Sequence, residues 1–562
     1  MTRLISVFLK FICTVLCVAL LTSCQQTASV NPSTTQTPTS TTKPTEQLGE
    51  TAKPMEESQV SFVSGTTFSG QKRPALVMDK QYLEEASMDR KKADRVVYSV
   101  NDKNAGYIEG DAMQQAGTAT TQVTAVANLG YKFVKWSDGL TEPTRASDIE
   151  EGVYTAIFDY AVLSMPIVAI NTDSGDPITS KTEYVTGSIS VLGCEQQYEL
   201  HNKDMEIRGR GNNSWTAYPK KSYKIKLAEK ENLFGLGAGK ERVWVLLANH
   251  CDQSLLRNHM ALELSRYFQG IAWGPASTSV EVYFNGEYAG VYLLAEEIKV
   301  SGDRVDIQDT NADAVDTGYL VELSNYAEGD IFQVARRNYQ IHSTLSKNGA
   351  TKRKQINYIK QYIQQCHDAL EDGDEVKFRE LVDVDSFLAT YLVEEIVKNL
   401  DSQWDSFYLY KDAGGKLCFG PVWDFDLSLG NANEGAEFYE GIFVGNGQGS
   451  KNGPDAWFTL AMQQTWFREL VAEKWKEVYD SVAQMPQFIL DEGKIGLASY
   501  KRNFKRWDIF GTVQNREPED IVALHTYKAH YEYLAQWTAN RIAWLDETFR
   551  NEAFVSNGEG IW

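Results

Sequence analysis

Between about residues 164 and 550 the chain changes its periodicity once, and that change constrains the fold more than any other feature. Strand-like runs come first: "MPIVAINT", "YVTGSISVLG", "YELHNKDMEIRGRG", "KKSYKIKLAE" and "RVWVLLAN". A helix is predicted over "SLLRNHMALELSRYF". Two β-branched and aromatic runs follow in "TSVEVYFNGEYAGVYLLAEEI", joined by Asn285-Gly286, a strong hairpin signal. Later segments, "KQINYIKQYIQQCHDALED", "VDSFLATYLVEEIVKNL" and "TYKAHYEYLAQWTANRIAWLDETF", carry apolar residues at three- and four-residue spacing and predict helices. A second hairpin, "SFYLYKDAGGKLCFGPVWDFDLS", is predicted to turn at Gly414-Gly415. A β-rich first part followed by a helical second part implies the α+β class.

The N-terminus reads as targeting. Arg3 and Lys10 precede an apolar run, and Leu21-Thr22-Ser23-Cys24 resembles a bacterial lipobox. Residues 1–23 are then a signal peptide, and Cys24 the lipidation site on the outer side of a membrane. Residues 24–58 are rich in Thr, Ser, Pro and Gln and poor in large apolar residues, which implies a flexible tether. The formal charge is −21. Loss of the signal leaves 53 basic and 76 acidic residues, a charge near −23. That balance argues against nucleic acid as a partner, which needs basic surface. Cys194, Cys251, Cys366 and Cys418 fit no zinc spacing and are expected to be buried free thiols.

Residues 96–161 form a separate unit of short alternating runs and glycine turns. The "GYKFVKWSDG" stretch, with "YTAIFDY" after it, resembles the internalin B-repeat modules of bacterial surface proteins. Trp136 and Tyr131 are expected to build its core rather than a ligand site.

Five constellations could carry chemistry. In "EIRGRGNNSW" a strand runs into Arg208, Gly209, Arg210 and Gly211, whose amides and guanidinium groups suit phosphate oxygens. In "PKKSYKIKL" strand alternation puts Lys220, Ser222, Lys224 and Lys226 on one face. Lys221 falls with Tyr223, Ile225 and Leu227 on the apolar face, where a lysine needs an anionic partner such as a phosphate or a carboxylate, Glu263 among them. "LLANHCDQSLLRN" offers Asp252 as a helix cap and Arg257 one turn inside, a surface arginine in the plainest reading. An apolar strand ends at Glu296-Glu297, either a cleft rim or a solvated strand end. Finally, Asp401 sits just past a helix C-terminus, and Asp424 and Asp426 lie in the apolar "FGPVWDFDLSLGN". Carboxylates so placed need a cation, and the order acid, hairpin, acid pair is that of a phosphoryl-transfer site.

Taken together, "RGRGNNSW", "PKKSYKIKL", "LLANHCDQSLLRN", "GVYLLAEEI", "NLDSQWDSFYLYKD" and "FGPVWDFDLSLGN" resemble, in order, the CotH family of spore-coat-protein-H-type kinases. The resemblance covers 164–550. It implies an atypical protein-kinase-like fold of two lobes, a β-rich N-lobe and a helical C-lobe, using ATP with Mg²⁺ or Mn²⁺ on protein hydroxyls at the cell surface or envelope. It implies Asp401 as the catalytic carboxylate and Asp424 at the metal, with Asp426 as alternative or partner. Lys221 would contact phosphate, with Lys224 and Lys226 less favoured. Arg208 to Gly211 would cover the phosphates, and Glu296 would lie near the adenine. Where protein kinases place a metal-binding asparagine five residues after the catalytic aspartate, this chain has Ser406, beside Asp405. Two other readings compete: an inactive, adhesive surface protein, and a carbohydrate-active enzyme using paired carboxylates and an aromatic groove.

Overall fold

In a computed structural model, Asn285 and Gly286 take positive φ of 50° and 83° and turn one strand back on the next, as their hairpin signal predicts. The structure describes residues 95–558, apart from 104, 116, 118–121, 129–130, 147–149, 161–164, 310–313 and 448–452. The signal peptide, Cys24 and the tether lie outside the described residues. Among the described residues no helix is long and apolar enough to cross a membrane.

The first unit has strands β1 (Arg95–Val100), β2 (Gly106–Glu109), β3 (Met113–Gln115), β4 (Val123–Ala127), β5 (Tyr131–Trp136), β6 (Thr144–Arg145) and β7 (Gly152–Tyr160). They form one sheet in the order β3-β1-β7-β5 and another in the order β2-β4-β6. Trp136 is fully buried with Val96, Tyr98 and Phe158, and Tyr131 packs against that cluster. The Arg145 guanidinium lies 4.9 Å from the Trp136 ring and pairs with Asp138 at 2.7 Å. The aromatic residues therefore build a core, as expected.

A closed barrel of seven strands follows: β8 (Ile167–Thr172), β9 (Val185–Leu192), β10 (Leu200–Arg210), β11 (Ser222–Glu231), β12 (Glu241–Leu247), β13 (Ser277–Phe284) and β14 (Glu287–Glu296). Alternation fills its interior with Val168, Ile189, Ile207, Ile225, Leu246, Val282 and Leu294. β12 and β14 are buried on both faces. Trp244, Leu246, Tyr292 and Leu294 face the barrel interior, while Val245, Leu247, Val291 and Leu293 pack into the core of the helical part. This explains why "GVYLLAE" reads as an unbroken apolar run.

The remaining strands are β15 (Tyr319–Leu323), β16 (Ile331–Val334), β17 (Arg337–Ile341), β18 (Phe407–Lys411) and β19 (Leu417–Phe419). They make one sheet in the order β16-β17-β15-β18-β19. β18 and β19 are the hairpin predicted at Gly414-Gly415. The long helices Gly349–Glu371 and Val384–Val397 pack on this sheet, and Thr465–Val482 and Tyr527–Phe549 join the same core by packing on other helices. The chain is α+β, with β modules, a barrel and a helical C-terminal part.

Candidate functional site

A cavity of about 840 Å³ opens between the barrel and the helical part. Ligand sites commonly have this size. Its lining brings together Arg208, Arg210, Gly211, Lys224, Asp401, Asp424 and Asp426, which are spread over more than two hundred residues of sequence. Gly209, Lys221 and Glu296 are not in that lining.

The basic wall comes from β10 and β11. Arg208 stands directly opposite Lys224, and Arg210 opposite Ser222. Arg210 lies 5.5 Å from the Trp423 ring, and the Arg208 guanidinium donates to the carbonyls of Lys181 and Gly209. Gly209 lies beneath the wall: a Cβ there would sit 2.2 Å from the Trp215 ring. Gly211 has φ of 94°, and a Cβ would meet Ser214 Oγ at 2.2 Å, so the turn into 212–214 requires glycine.

The lysines are arranged differently from the sequence expectation. β11 begins at Ser222, so the alternation does not extend back to Lys221. Lys221 is half-buried against Trp215, its Nζ donating to the Trp215 carbonyl at 2.5 Å. Its postulated partner Glu263 lies instead 3.9 Å from Arg266. Lys224 projects into the cleft and pairs with Glu297 at 2.8 Å. Lys226 pairs with Glu206 at 2.7 Å, outside the cleft lining. Lys220 is buried, donating to the carbonyls of Ala248 (2.8 Å) and Val291, with its pKa lowered to about 7 by burial.

Glu296 also departs from its expected place. It is 1% exposed, accepts the Ala276 N–H at 2.9 Å and lies 3.7 Å from Arg304. Burial raises its pKa. This carboxyl closes the barrel end, and its neighbour Glu297 faces the cleft instead.

The acidic wall comes from the helical part. The helix Val384–Val397 ends with Lys398 in the left-handed region, and Asp401 lies in the turn after it. Asn399 Oδ1 accepts the Asp401 N–H at 3.2 Å, while Asn399 Nδ2 donates to Glu394 at 2.9 Å. Glu394 is fully enclosed, and burial raises its carboxyl to about 8. Nothing in the sequence pattern marks Glu394 as a support for Asp401.

Asp424 sits at φ of 69° and is exposed to the cleft. Ser406 Oγ donates to Asp424 Oδ2 at 3.1 Å, so the residue at the kinase-asparagine position does reach Asp424. Asp405 instead accepts from Ser324 Oγ at 2.6 Å and from the Asn325 N–H at 3.1 Å. Cys251 Sγ donates to Asp426 Oδ2 at 3.0 Å. Partial desolvation within the cleft and the neighbouring Asp426 charge raise Asp424 to about 8. Burial raises Asp426 to about 6, with Asp401 adding to it. A cluster of hard carboxylate oxygens whose mutual repulsion favours protonation fits a cation such as Mg²⁺ or Mn²⁺.

The "LLANHCDQSLLRN" segment holds these acids in place. Asp252 accepts the first N–H of the helix Arg257–Tyr267, that of Arg257, at 2.8 Å and pairs with the Arg257 guanidinium at 2.5 Å, while the N-cap position is Leu256. Arg257 is 1% exposed, not a surface residue. Its Nε donates to Ser428 O at 3.1 Å and Leu429 O at 3.3 Å. Asn258 Oδ1 accepts the Phe425 N–H at 2.8 Å. The remaining cysteines are free, with Cys194, Cys251 and Cys366 buried and Cys418 half-buried.

A search of curated proteins finds no match to the chain. Family comparison matches residues 96–160 to the divergent InlB B-repeat domain and residues 207–545 to the CotH kinase protein family. The second match spans more than half of the chain and contains Arg208, Arg210, Lys224, Asp401, Asp424 and Asp426, so the chain belongs to the CotH kinase protein family, with a divergent InlB B-repeat domain ahead of it.

Proposed function

We propose that this chain is a kinase that transfers the γ-phosphoryl group of ATP to Ser or Thr hydroxyls of proteins, in a two-lobed kinase-like fold. The observation that carries the reading is the opposition of charge in one cleft. Asp401, Asp424 and Asp426 stand on one wall, and Arg208, Arg210 and Lys224 on the other. The basic wall supports a phosphate ligand over a sugar, for which it would have no use.

Asp424 and Asp426 would hold Mg²⁺ or Mn²⁺, which supplies neutralisation of the phosphate charge. Arg208, Arg210 and Lys224 would face the phosphate oxygens, with Glu297 holding Lys224 extended. Asp401 would orient the acceptor hydroxyl and take its proton as the new O–P bond forms and the bond to ADP breaks. Placement at a membrane, through lipid on Cys24 and the tether of 24–58, rests on the lipobox resemblance alone. Surface or envelope proteins are the acceptors that placement favours.

Mg-ATP titration calorimetry tests the basic wall. Lys224→Ala is expected to weaken binding at least about tenfold, the scale of one lost charge-assisted contact. Lys221→Ala is expected to stay within about twofold, because its ammonium is engaged by Trp215 outside the cleft. The reverse order would return the phosphate role to Lys221.

A further inference from the structure

The last turn of the helix Gly349–Glu371 carries His367, Asp368 and Glu371, none of which lines the cleft. One ligand atom from each lies within 4.8 Å of the others. His367 and Glu371 are four residues apart, the spacing that stacks two side chains on one helix face.

The imidazole makes this more than an acidic helix end. It is 3% exposed and stands edge-on to the Trp457 ring at 5.0 Å. Its Nε2 lies 2.9 Å from the Asp455 carbonyl, which can only accept, so Nε2 carries the proton. In the neutral ring Nδ1 is then a bare lone pair. Nδ1 is buried without a hydrogen-bond partner and lies 3.8 Å from Glu371 Oε2. A lone pair facing a carboxylate calls for a cation between them. Asp368 accepts from Gln364 Nε2 at 2.7 Å, and both carboxylates are exposed.

We propose that His367, Asp368 and Glu371 form a second metal site, for a borderline divalent transition ion such as Zn²⁺. One imidazole nitrogen and two carboxylate oxygens, completed by water, suit Zn²⁺ or Co²⁺ rather than a hard ion such as Mg²⁺. The Asp455 carbonyl on the far ring nitrogen is the outer contact that fixes a ligating histidine in its tautomer. The ion would tie together the last turn of the helix, where the Asp455 carbonyl already holds the imidazole and the Asp455 carboxylate takes Arg336 at 2.9 Å and Arg337 at 3.2 Å. The role is structural: the imidazole is packed against Trp457, and none of the three residues lines the cleft.

The test is Zn²⁺ titration of the chelator-stripped full-length chain in excess Mg²⁺, which occupies hard-oxygen sites. His367→Ala is expected to lose one equivalent of bound Zn²⁺. Glu371→Gln is expected to weaken that equivalent at least about tenfold. Glu371 is exposed, so this variant reads the site even if His367→Ala folds poorly. Co²⁺ loading of the wild type should give a d–d absorption band that is absent in Glu371→Gln. A wild type that binds no Zn²⁺, or an isotherm unchanged in Glu371→Gln, would overturn the site and leave His367 and Glu371 as a plain ion pair.

Discussion

Asp424 concentrates the chemistry of the cleft in one residue. Its φ of 69° is uncommon outside glycine, although aspartate is among the side chains that tolerate it. The turn aims the carboxylate into the cleft beside Asp426, and both carboxyls are raised, to about 8 and about 6. An unfolded aspartate titrates near 3.9, so the metal-free folded chain holds protons that the unfolded chain releases. The stability this contributes is complete below about pH 4 and is lost as pH rises through 8. Relative to Asp424→Asn, which keeps a neutral side chain, the metal-free wild type should therefore lose melting temperature steadily from pH 5 to 8. Added Mg²⁺ should cancel that loss by replacing the protons. Thermal melts of both proteins, with and without Mg²⁺, check this, and parallel pH curves would contradict it. The aspartates were legible in the sequence because acids in an apolar run are rare. The lysines were less so. Period-2 reasoning treats a strand as starting wherever lysines start, but β11 begins at Ser222, and Lys220 and Lys221 are instead held by carbonyls.

Among elements, the segment 249–258 decides whether the acid pair stays in register. Arg257 joins the start of one helix to the turn that follows Asp426, through partners 171 and 172 residues away. Replacement by Ala would leave the buried Asp252 carboxylate without its cation and the Leu429 carbonyl without the guanidinium donor, while Ser428 O keeps the Asn431 N–H. Such breaks cost about 3–5 kcal/mol. Urea denaturation of Arg257→Ala should show a fall of that size, and Mg-ATP affinity should fall with it. A variant of unchanged stability would mean that the clamp is not structural. The sequence tied Asp252 to the helix start, a local interaction, although the N-cap position is Leu256 and Asp252 reaches the Arg257 N–H from outside it. It could not mark Arg257 as buried, because its partners lie beyond any local window.

For the whole molecule, legibility follows the same division. The Asn285-Gly286 and Gly414-Gly415 hairpins, the amphipathic helices and the α+β order all depend on near neighbours. The five-stranded sheet does not. β15 pairs with β18 across more than eighty residues, and neither short strand announces its partner. The closed barrel was likewise invisible as a barrel, since closure requires β8 to run parallel to β13. Family resemblance supplied what periodicity could not, by tying six separated motifs to one cleft. Within that cleft it misplaced Glu296, whose side chain is enclosed at the barrel end, while Glu297 faces the cavity. We propose that the opposed walls perform phosphoryl transfer. Radiolabel transfer from γ-labelled Mg-ATP to an acceptor protein tests it most directly, with wild type and Asp401→Ala compared at equal nucleotide occupancy. The expected result is transfer by the wild type and a loss of about 10²–10⁴-fold in Asp401→Ala with nucleotide binding retained. No transfer by the wild type, or transfer by Asp401→Ala at the wild-type rate, would contradict it.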